Sequence, residues 1–194
     1  SKSVNGQLKI GNLEGDFFTK LKLQNICWTV EKDTFLFVES VSASYRLLPL
    51  LHGELLLNSV QLTRPYVNLK QEVDSTWNFQ RLVPETNSSE VDTSSASGNF
   101  RVILSDFELA EGKLRIQALD SLIPREVNDL NVTLALRYAS EKQELQLKKL
   151  AFQTLQPDFQ LTELSLDVVR DKEAVSLRNF HVKTARNALK GEAN

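Results

Sequence analysis

The side chains that most often carry catalysis or bind metals are sparse and far apart in this sequence. The two histidines, His52 and His181, belong to no metal-binding pair such as His-Glu-x-x-His. The single cysteine, Cys27, excludes a disulfide framework and a cysteine-built zinc site. Gly-x-Ser-x-Gly, Gly-x-Gly-x-x-Gly and Walker motifs are also missing. The sequence therefore predicts a protein that is not an enzyme and that uses no metal or cofactor.

The charge balance and the hydropathy pattern exclude two further classes. The 194 residues include 23 basic and 25 acidic side chains, for a formal charge of −2. Nucleic-acid binding needs a clustered cationic surface, so this composition argues against it. A helix that spans a bilayer takes about 20 apolar residues, and the sequence contains no such run. There is no methionine at all, which indicates a processed or excised chain.

The spacing of apolar residues predicts strands. Apolar positions alternate with polar ones along most of the chain, as in Val41-Ser-Ala43-Ser-Tyr45 and Leu130-Asn-Val132-Thr-Leu134. Each alternating segment is four to eight residues long and is bounded by turn residues or charges. The sequence therefore predicts an all-β chain with at most one or two short helical turns.

Alternation of this kind gives a sheet one apolar face, which must lie against something. The partner can be a second sheet in a sandwich, the same sheet closed into a barrel, or a ligand or membrane in an open groove. Alternation alone favours the closed forms, because an apolar sheet face is most commonly buried in a filled core.

One stretch divides the chain. Residues 85–99 (ETNSSEVDTSSASGN) are rich in serine and acidic residues, which predicts a flexible loop or linker. It separates an N-terminal segment, 1–84, from a continuing β segment, 100–194, whose C-terminus looks truncated. Whether the two segments form one sheet or two domains is left open by the sequence.

The region from residue 45 to residue 70 has the most distinctive local pattern. After Tyr45, four leucines and Pro49 predict a tight turn that Gly53 ends. A shift of alternation at Asn58-Ser59 predicts a β-bulge. Pro65 cannot donate a hydrogen bond to a neighbouring strand, which predicts an edge or a break there.

The order of these elements resembles a known family. The segment L-L-P-L-L-H-G-E-L-x-L-x-x-V-x-L-x-x-P-x-V-x-L, residues 47–69, follows G-x-L-x-I-G-x-L-x-G-D-F-F from Gly6 and precedes Trp77-Asn78. It resembles the N-terminal periplasmic region of the AsmA/TamB family, in its TamB-like version from the translocation and assembly module. The resemblance covers residues 1–84 well and persists from residue 100 onward only as a similar style of strand pairs.

The resemblance implies a fold and a function. The fold would be an elongated, curled, antiparallel-type β-sheet with an open apolar groove, similar to bridge-like lipid-transfer proteins; the closed sandwich or barrel is the alternative. Such a protein would lie in the periplasm of a Gram-negative bacterium, anchored to the inner membrane by a segment before Ser1. It would conduct phospholipid acyl chains between the inner and outer membranes, beside a barrel partner of the TamA type.

Two other functions stay open at this stage. The chain could be a chaperone for outer-membrane protein assembly and secretion that pairs its sheet edges with client strands by β-augmentation. It could instead be a structural cap on a longer β-solenoid. On the lipid-conduit hypothesis, the apolar member of each alternating pair is expected to line the groove. These candidates are Leu8, Ile10, Leu21, Leu23, Val41, Tyr45, Leu55, Leu57, Val60, Leu62, Val67, Leu69, Val102, Leu104, Leu114 and Ile116.

Overall fold

Ten strands make up nearly the whole fold of the computed structural model, which describes residues 6–30, 33–82, 100–120, 122–172 and 174–193. They form one sheet, in which the spatial order of the strands is the order along the chain. The strands are β1 (Gln7–Asp16), β2 (Lys20–Val30), β3 (Asp33–Arg46), β4 (Glu54–Lys70), β5 (Arg101–Gln117), β6 (Glu126–Tyr138), β7 (Gln143–Leu155), β8 (Phe159–Arg170), β9 (Val175–Thr184) and β10 (Ala188–Ala193). Two short 3₁₀-helices, Leu48–His52 and Asn78–Leu82, complete the described elements.

The sheet is open, with β1 and β10 at its two edges. It is not closed into a barrel, and in the described residues no second sheet covers it. The all-β prediction with an open sheet is confirmed, and the closed sandwich or barrel is wrong. A right-handed twist accumulates over so many strands, which is the usual way for a single open sheet of this size to curl.

One strand pair departs from the antiparallel pattern. β4 and β5 run parallel, and the other eight neighbouring pairs are antiparallel. A parallel pair needs a long return connection, and residues 71–100 supply it. The expectation of an antiparallel sheet is therefore wrong at this pair. The predicted linker, 85–99, lies outside the described residues.

The parallel pair joins the two halves of the chain into one sheet. Its register runs without a shift from Glu54, opposite Arg101, to Lys70, opposite Gln117. Backbone hydrogen bonds continue the pairing at both ends, from Arg101 N–H to Gly53 O (2.8 Å) and from Gln71 N–H to Gln117 O (2.8 Å). The question that the sequence left open is answered here: segments 1–84 and 100–194 contribute to the same sheet.

The strands are longer than the alternating segments in the sequence. β4 and β5 have 17 residues each, because irregularities interrupt the alternation without ending the strand. The predicted bulge is confirmed: Ser44 lies opposite Ser59 and Tyr45 opposite Leu57, so Asn58 is the extra residue. Pro65 is not at a sheet edge, but it does lie at a break in the pairing with β5, whose partners pass from Thr63 to Tyr66 beside left-handed Arg64. It is buried in the centre of β4, opposite Val38.

Five strand residues other than glycine have left-handed backbone dihedrals, with φ between 47° and 56°. Such a residue interrupts the alternation of side chains in a strand. At each of these sites the apolar residues on either side are three positions apart instead of two, as with Leu23 and Ile26 in β2. The five residues are Asn25 in β2, Arg64 in β4, Glu111 in β5, Asp129 in β6 and Asn179 in β9.

The geometry at Gly112 shows what these interruptions do. A Cβ atom placed on Gly112 would lie 2.7 Å from Leu109 Cδ2 and 3.2 Å from Leu130 Cβ. Leu109 and Gly112 therefore point to the same face of β5, although they are three residues apart. Glu111, with φ of 56°, lies between them. The left-handed residue thus keeps the apolar side chains of β5 on one face of the sheet.

We expect Asn25→Val to lower the free energy of unfolding by about 1–3 kcal/mol, because β-branched residues are strained at positive φ. Asn25→Gly, which adopts this φ freely, should change it by less than about 1 kcal/mol. Urea unfolding followed by circular dichroism measures both.

Gln24→Val is the matched control, since the neighbouring residue does not have a left-handed φ. A loss of stability in Gln24→Val as large as that in Asn25→Val would mean that the backbone conformation at Asn25 is not the cause.

Candidate functional site

A single row of apolar side chains crosses the whole sheet. Directly paired residues on neighbouring strands point to the same face, and the registers link one apolar residue from each strand into a chain of partners. We call this the central row. Its members, from β1 to β10, are Leu13, Leu23, Val41, Leu62, Leu109, Val132, Leu150, Leu164, Val182 and Leu189.

Two further apolar rows lie beside the central row on the same face, because their residues alternate regularly with it along β3 at positions 41, 43 and 45. The first row crosses seven strands as Leu21, Ala43, Val60, Phe107, Leu134, Leu147 and Leu166. The second also crosses seven strands, as Tyr45, Leu57, Leu104, Leu136, Leu145, Val168 and Leu177.

A fourth row lies on the other side of the left-handed residues. It runs through Leu8, Trp28, Leu36, Val67, Leu114 and Val127. The Leu109–Gly112 geometry places this part of β5 on the same face as the central row. Together the four rows define the apolar face of the sheet.

The register brings the sixteen predicted groove residues together in two groups. Ten belong to the central row, the two rows beside it, or the adjoining Leu55–Val102 pair. The other six lie beyond the left-handed residues. The ten are Leu21, Leu23, Val41, Tyr45, Leu55, Leu57, Val60, Leu62, Val102 and Leu104; the six are Leu8, Ile10, Val67, Leu69, Leu114 and Ile116.

The sequence interpretation missed the part of this face that β6 to β10 contribute. Val132, Leu150, Leu164, Val182 and Leu189 continue the central row there. They show the same alternation as the predicted residues. The signal that could have found them was therefore present, but which alternating position joins the row depends on the register between strands.

Little of the apolar face is buried. Among the apolar side chains of the described residues only Ile26, Val38, Pro65 and Leu161 are buried, and the central row is exposed at its ends, by 47% at Leu13 and 61% at Leu189. The apolar face therefore remains accessible to a ligand.

Directly behind the central row, the opposite face of the sheet is polar. The residues next to the central row on β1 to β7 form a row of partners in which every member is charged or polar. Hydrogen bonds join neighbours in this row, from Ser42 Oγ to Gln61 Oε1 and from Gln61 Nε2 to Glu108 Oε2, both 3.3 Å. The row consists of Glu14, Lys22, Ser42, Gln61, Glu108, Thr133 and Lys149.

Ion pairs reinforce the line of left-handed residues. Arg64 Nε lies 2.5 Å from Glu39 Oε2 on β3, and Arg64 Nη1 lies 3.9 Å from Glu111 Oε2 on β5. The hydrogen bond from Arg64 lowers the pKa of Glu39, and the same bond raises the pKa of Arg64. All three side chains are exposed, so this cluster ties β3, β4 and β5 together without burying charge.

The described residues contain no group of three histidine, cysteine or carboxylate side chains that could hold a metal ion. His181 Nδ1 lies 3.6 Å from Glu163 Oε1 across β9 and β8. Cys27 is half-buried and lies opposite Phe37 on β3.

Among the described residues there is no helix with the length and hydropathy that a membrane crossing requires.

Comparison of the chain with models of known protein families and with curated proteins found no match.

We expect the stability that the Glu39–Arg64 pair contributes to disappear in acid. The folded state lowers the pKa of Glu39 below its ordinary value of 4.5, so the contribution is complete above that pH and is lost as the pH falls through the lowered pKa. The urea midpoints of the wild type and Glu39→Gln should therefore differ at about pH 7 and converge towards about pH 3.

Arg64→Gln should show the same convergence, and the double variant should be no more sensitive to pH than either single variant. A constant difference between wild type and Glu39→Gln across this range would contradict an ionic contribution from the pair.

Proposed function

We propose that this chain conducts phospholipid acyl chains along its apolar face. The observation that supports the proposal is the central row, which is apolar in all ten strands and is not covered by another layer of the described structure. A protein with a filled core would not leave such a row accessible, since exposed contiguous apolar surface usually marks an interaction site.

The dimensions suit an extended ligand. Neighbouring strands lie about 4.8 Å apart, so nine steps give the central row a length of about 43 Å. The hydrocarbon core of a bilayer is about 30 Å thick, so the acyl chain of one leaflet extends about 15 Å. The row is therefore longer than one acyl chain, which suits a path along the sheet better than a pocket for a single molecule.

The energetics also suit a conduit. Exposing a 16-carbon chain to water costs on the order of 12 kcal/mol, at about 0.8 kcal/mol per methylene. A continuous apolar surface lowers this cost at every point along the path. Because the surface offers similar contacts from strand to strand, it gives no single position at which a lipid would be trapped. No catalytic group is needed for this process.

The cellular setting rests on the resemblance of residues 47–69 to the AsmA/TamB family. On that basis we propose that the chain lies in the periplasm of a Gram-negative bacterium, is anchored to the inner membrane, and works beside an outer-membrane barrel of the TamA type. The apolar face supports lipid as its ligand independently of this setting.

A role in outer-membrane protein assembly is the second candidate. The observation that favours it is the edge strand β1, all ten residues of which are exposed. An exposed edge offers unpaired backbone groups to a client strand. A chaperone of this kind depends on the edge and much less on the polarity of the central row.

We expect Leu62→Asp to fold and to lose bound lipid. Leu62 is in the middle of the central row and is only half-buried, so a carboxylate there can remain hydrated while it interrupts the apolar path. Native mass spectrometry of the purified chain, followed by lipid extraction, should find phospholipid with the wild type and little or none with Leu62→Asp.

Gln61→Asp is the matched control, because Gln61 is the adjacent residue on the polar face and hydrogen bonds to Ser42 and Glu108. It should keep its lipid. A folded Leu62→Asp variant with undiminished lipid, or a wild type that carries none, would argue against the conduit. Retention of client strands by a lipid-free Leu62→Asp variant would favour the chaperone.

A further inference from the structure

Two turns at one end of the sheet carry a cluster of large apolar side chains that belongs to none of the rows. Phe17 and Phe18, in the turn between β1 and β2, are 65% and 74% exposed. Leu48 and Leu51, in the 3₁₀-helix between β3 and β4, are 79% and 82% exposed. Leu47 and Leu50 are also exposed. We call these six residues the apolar tip.

Tyr45 holds the two turns side by side. Its hydroxyl donates to Phe17 O (2.9 Å), and its backbone N–H donates to Thr19 O (2.9 Å). Leu47 follows Tyr45 by only two residues. The helix that carries the leucines therefore begins close to the turn that carries the phenylalanines. The exposed side chains therefore form one surface.

The backbone of the apolar tip needs few partners from water. Asp16 Oδ1 accepts hydrogen bonds from the N–H groups of Phe18 (2.9 Å) and Thr19 (2.8 Å). In the helix, Leu50 N–H donates to Leu47 O (3.0 Å) and Gly53 N–H donates to Leu50 O (3.1 Å). Gly53 has φ of 77°, the left-handed conformation that closes such a helix. Turns satisfied in this way can enter a medium that is poor in water.

The charges around the apolar tip favour an anionic surface. Three cationic residues flank it, namely Lys20, Arg46 and Arg101, together with two carboxylates, Asp16 and Glu54. Glu54 Oε1 is paired with Arg101 Nη1 at 2.8 Å. Lys20 and Arg46 are exposed and are in no ion pair among the described residues. Two cations thus remain available beside the phenylalanines and leucines.

We propose that the apolar tip inserts into the interfacial layer of an anionic lipid bilayer. Aromatic and leucine side chains on closed turns, flanked by cations, are the combination that binds the boundary between head groups and acyl chains. The tip joins the apolar face directly, because Tyr45 belongs both to this junction and to a row of that face. The inference goes beyond the conduit, and it does not require the groove to hold lipid.

A second copy of the chain fits the tip less well. The two turns join the paired strands β1–β2 and β3–β4, so the turns themselves offer no unpaired strand edge, although the first of them follows the edge strand β1. Hydrated cations beside a small apolar cluster would also be repelled by the same cations on an identical cluster.

The test is sedimentation with vesicles of phosphatidylcholine alone and of equimolar phosphatidylcholine and phosphatidylglycerol. The wild type should bind the anionic vesicles, and Phe18→Asp and Leu51→Asp should each weaken binding about tenfold or more. Val73→Asp is the matched control, since Val73 is 93% exposed in the segment that follows β4, at the other end of that strand. It should bind as the wild type does.

The depth of insertion is measured directly with a tryptophan at the tip. Phospholipids brominated on the acyl chain should quench the fluorescence of Phe18→Trp and should leave that of Val73→Trp unchanged. Equal quenching of the two, equal loss of binding in all three aspartate variants, or no vesicle binding by the wild type would overturn the proposal. So would self-association in the absence of vesicles that Phe18→Asp abolishes.

The two proposals can fail separately. Leu62→Asp alters the central row and leaves the apolar tip intact, so it should keep its vesicle binding while it loses co-purified lipid. Phe18→Asp should show the opposite result. Loss of both properties in either variant would contradict the separation of the tip from the groove.

Discussion

The structure depends on keeping continuous rows of apolar side chains on the same face of a single-layer sheet. Burial of apolar surface is the main favourable contribution to folding, and a sheet that lacks a second layer has only its own neighbouring side chains to supply it. The rows that cross seven or more strands supply these contacts, since each residue lies against a partner on either side. The apolar face is thus the source of the sheet's stability and also the surface left for a ligand.

Continuity of that face requires special backbone geometry. Without a local adjustment of the backbone, a twisted strand of 17 residues such as β5 would lose its register with its neighbours. The left-handed residues provide this adjustment. Arg64 and Glu111 show how charge is used at these points, because their side chains meet in one ion-pair cluster with Glu39. Polar side chains suit the left-handed positions, because these positions lie where the alternation of apolar residues is interrupted.

The parallel pairing of β4 with β5 extends the path. It carries the central row from Leu62 to Leu109 without a break in register, and so it joins the four strands of the first half to the six strands of the second half in one surface. The proposed apolar tip lies at the strand ends of the first half. A bilayer contact there and an apolar path across the strands are complementary features for a protein that moves lipid.

The sequence by itself determined the all-β fold, the leucine turn that Gly53 ends and the bulge at Asn58. It did not determine whether the sheet is open or closed. Each of the three features that it determined depends on neighbours along the chain: alternation of period two, a glycine at positive φ, and a shift of phase within four residues. The sixteen predicted groove residues depended on the same local signal. All of them lie in strands.

Only the tertiary structure decided which alternating residues share a row, that β4 and β5 are parallel, and that Pro65 lies buried in a central strand. These features depend on register between strands far apart in sequence, and local alternation carries no information about register. Val182 and Leu189 illustrate the limit, since their place in the central row follows from partners on β8 and β9. The apolar tip is a further case, because the hydrogen bond from Tyr45 to Phe17 joins residues 28 positions apart.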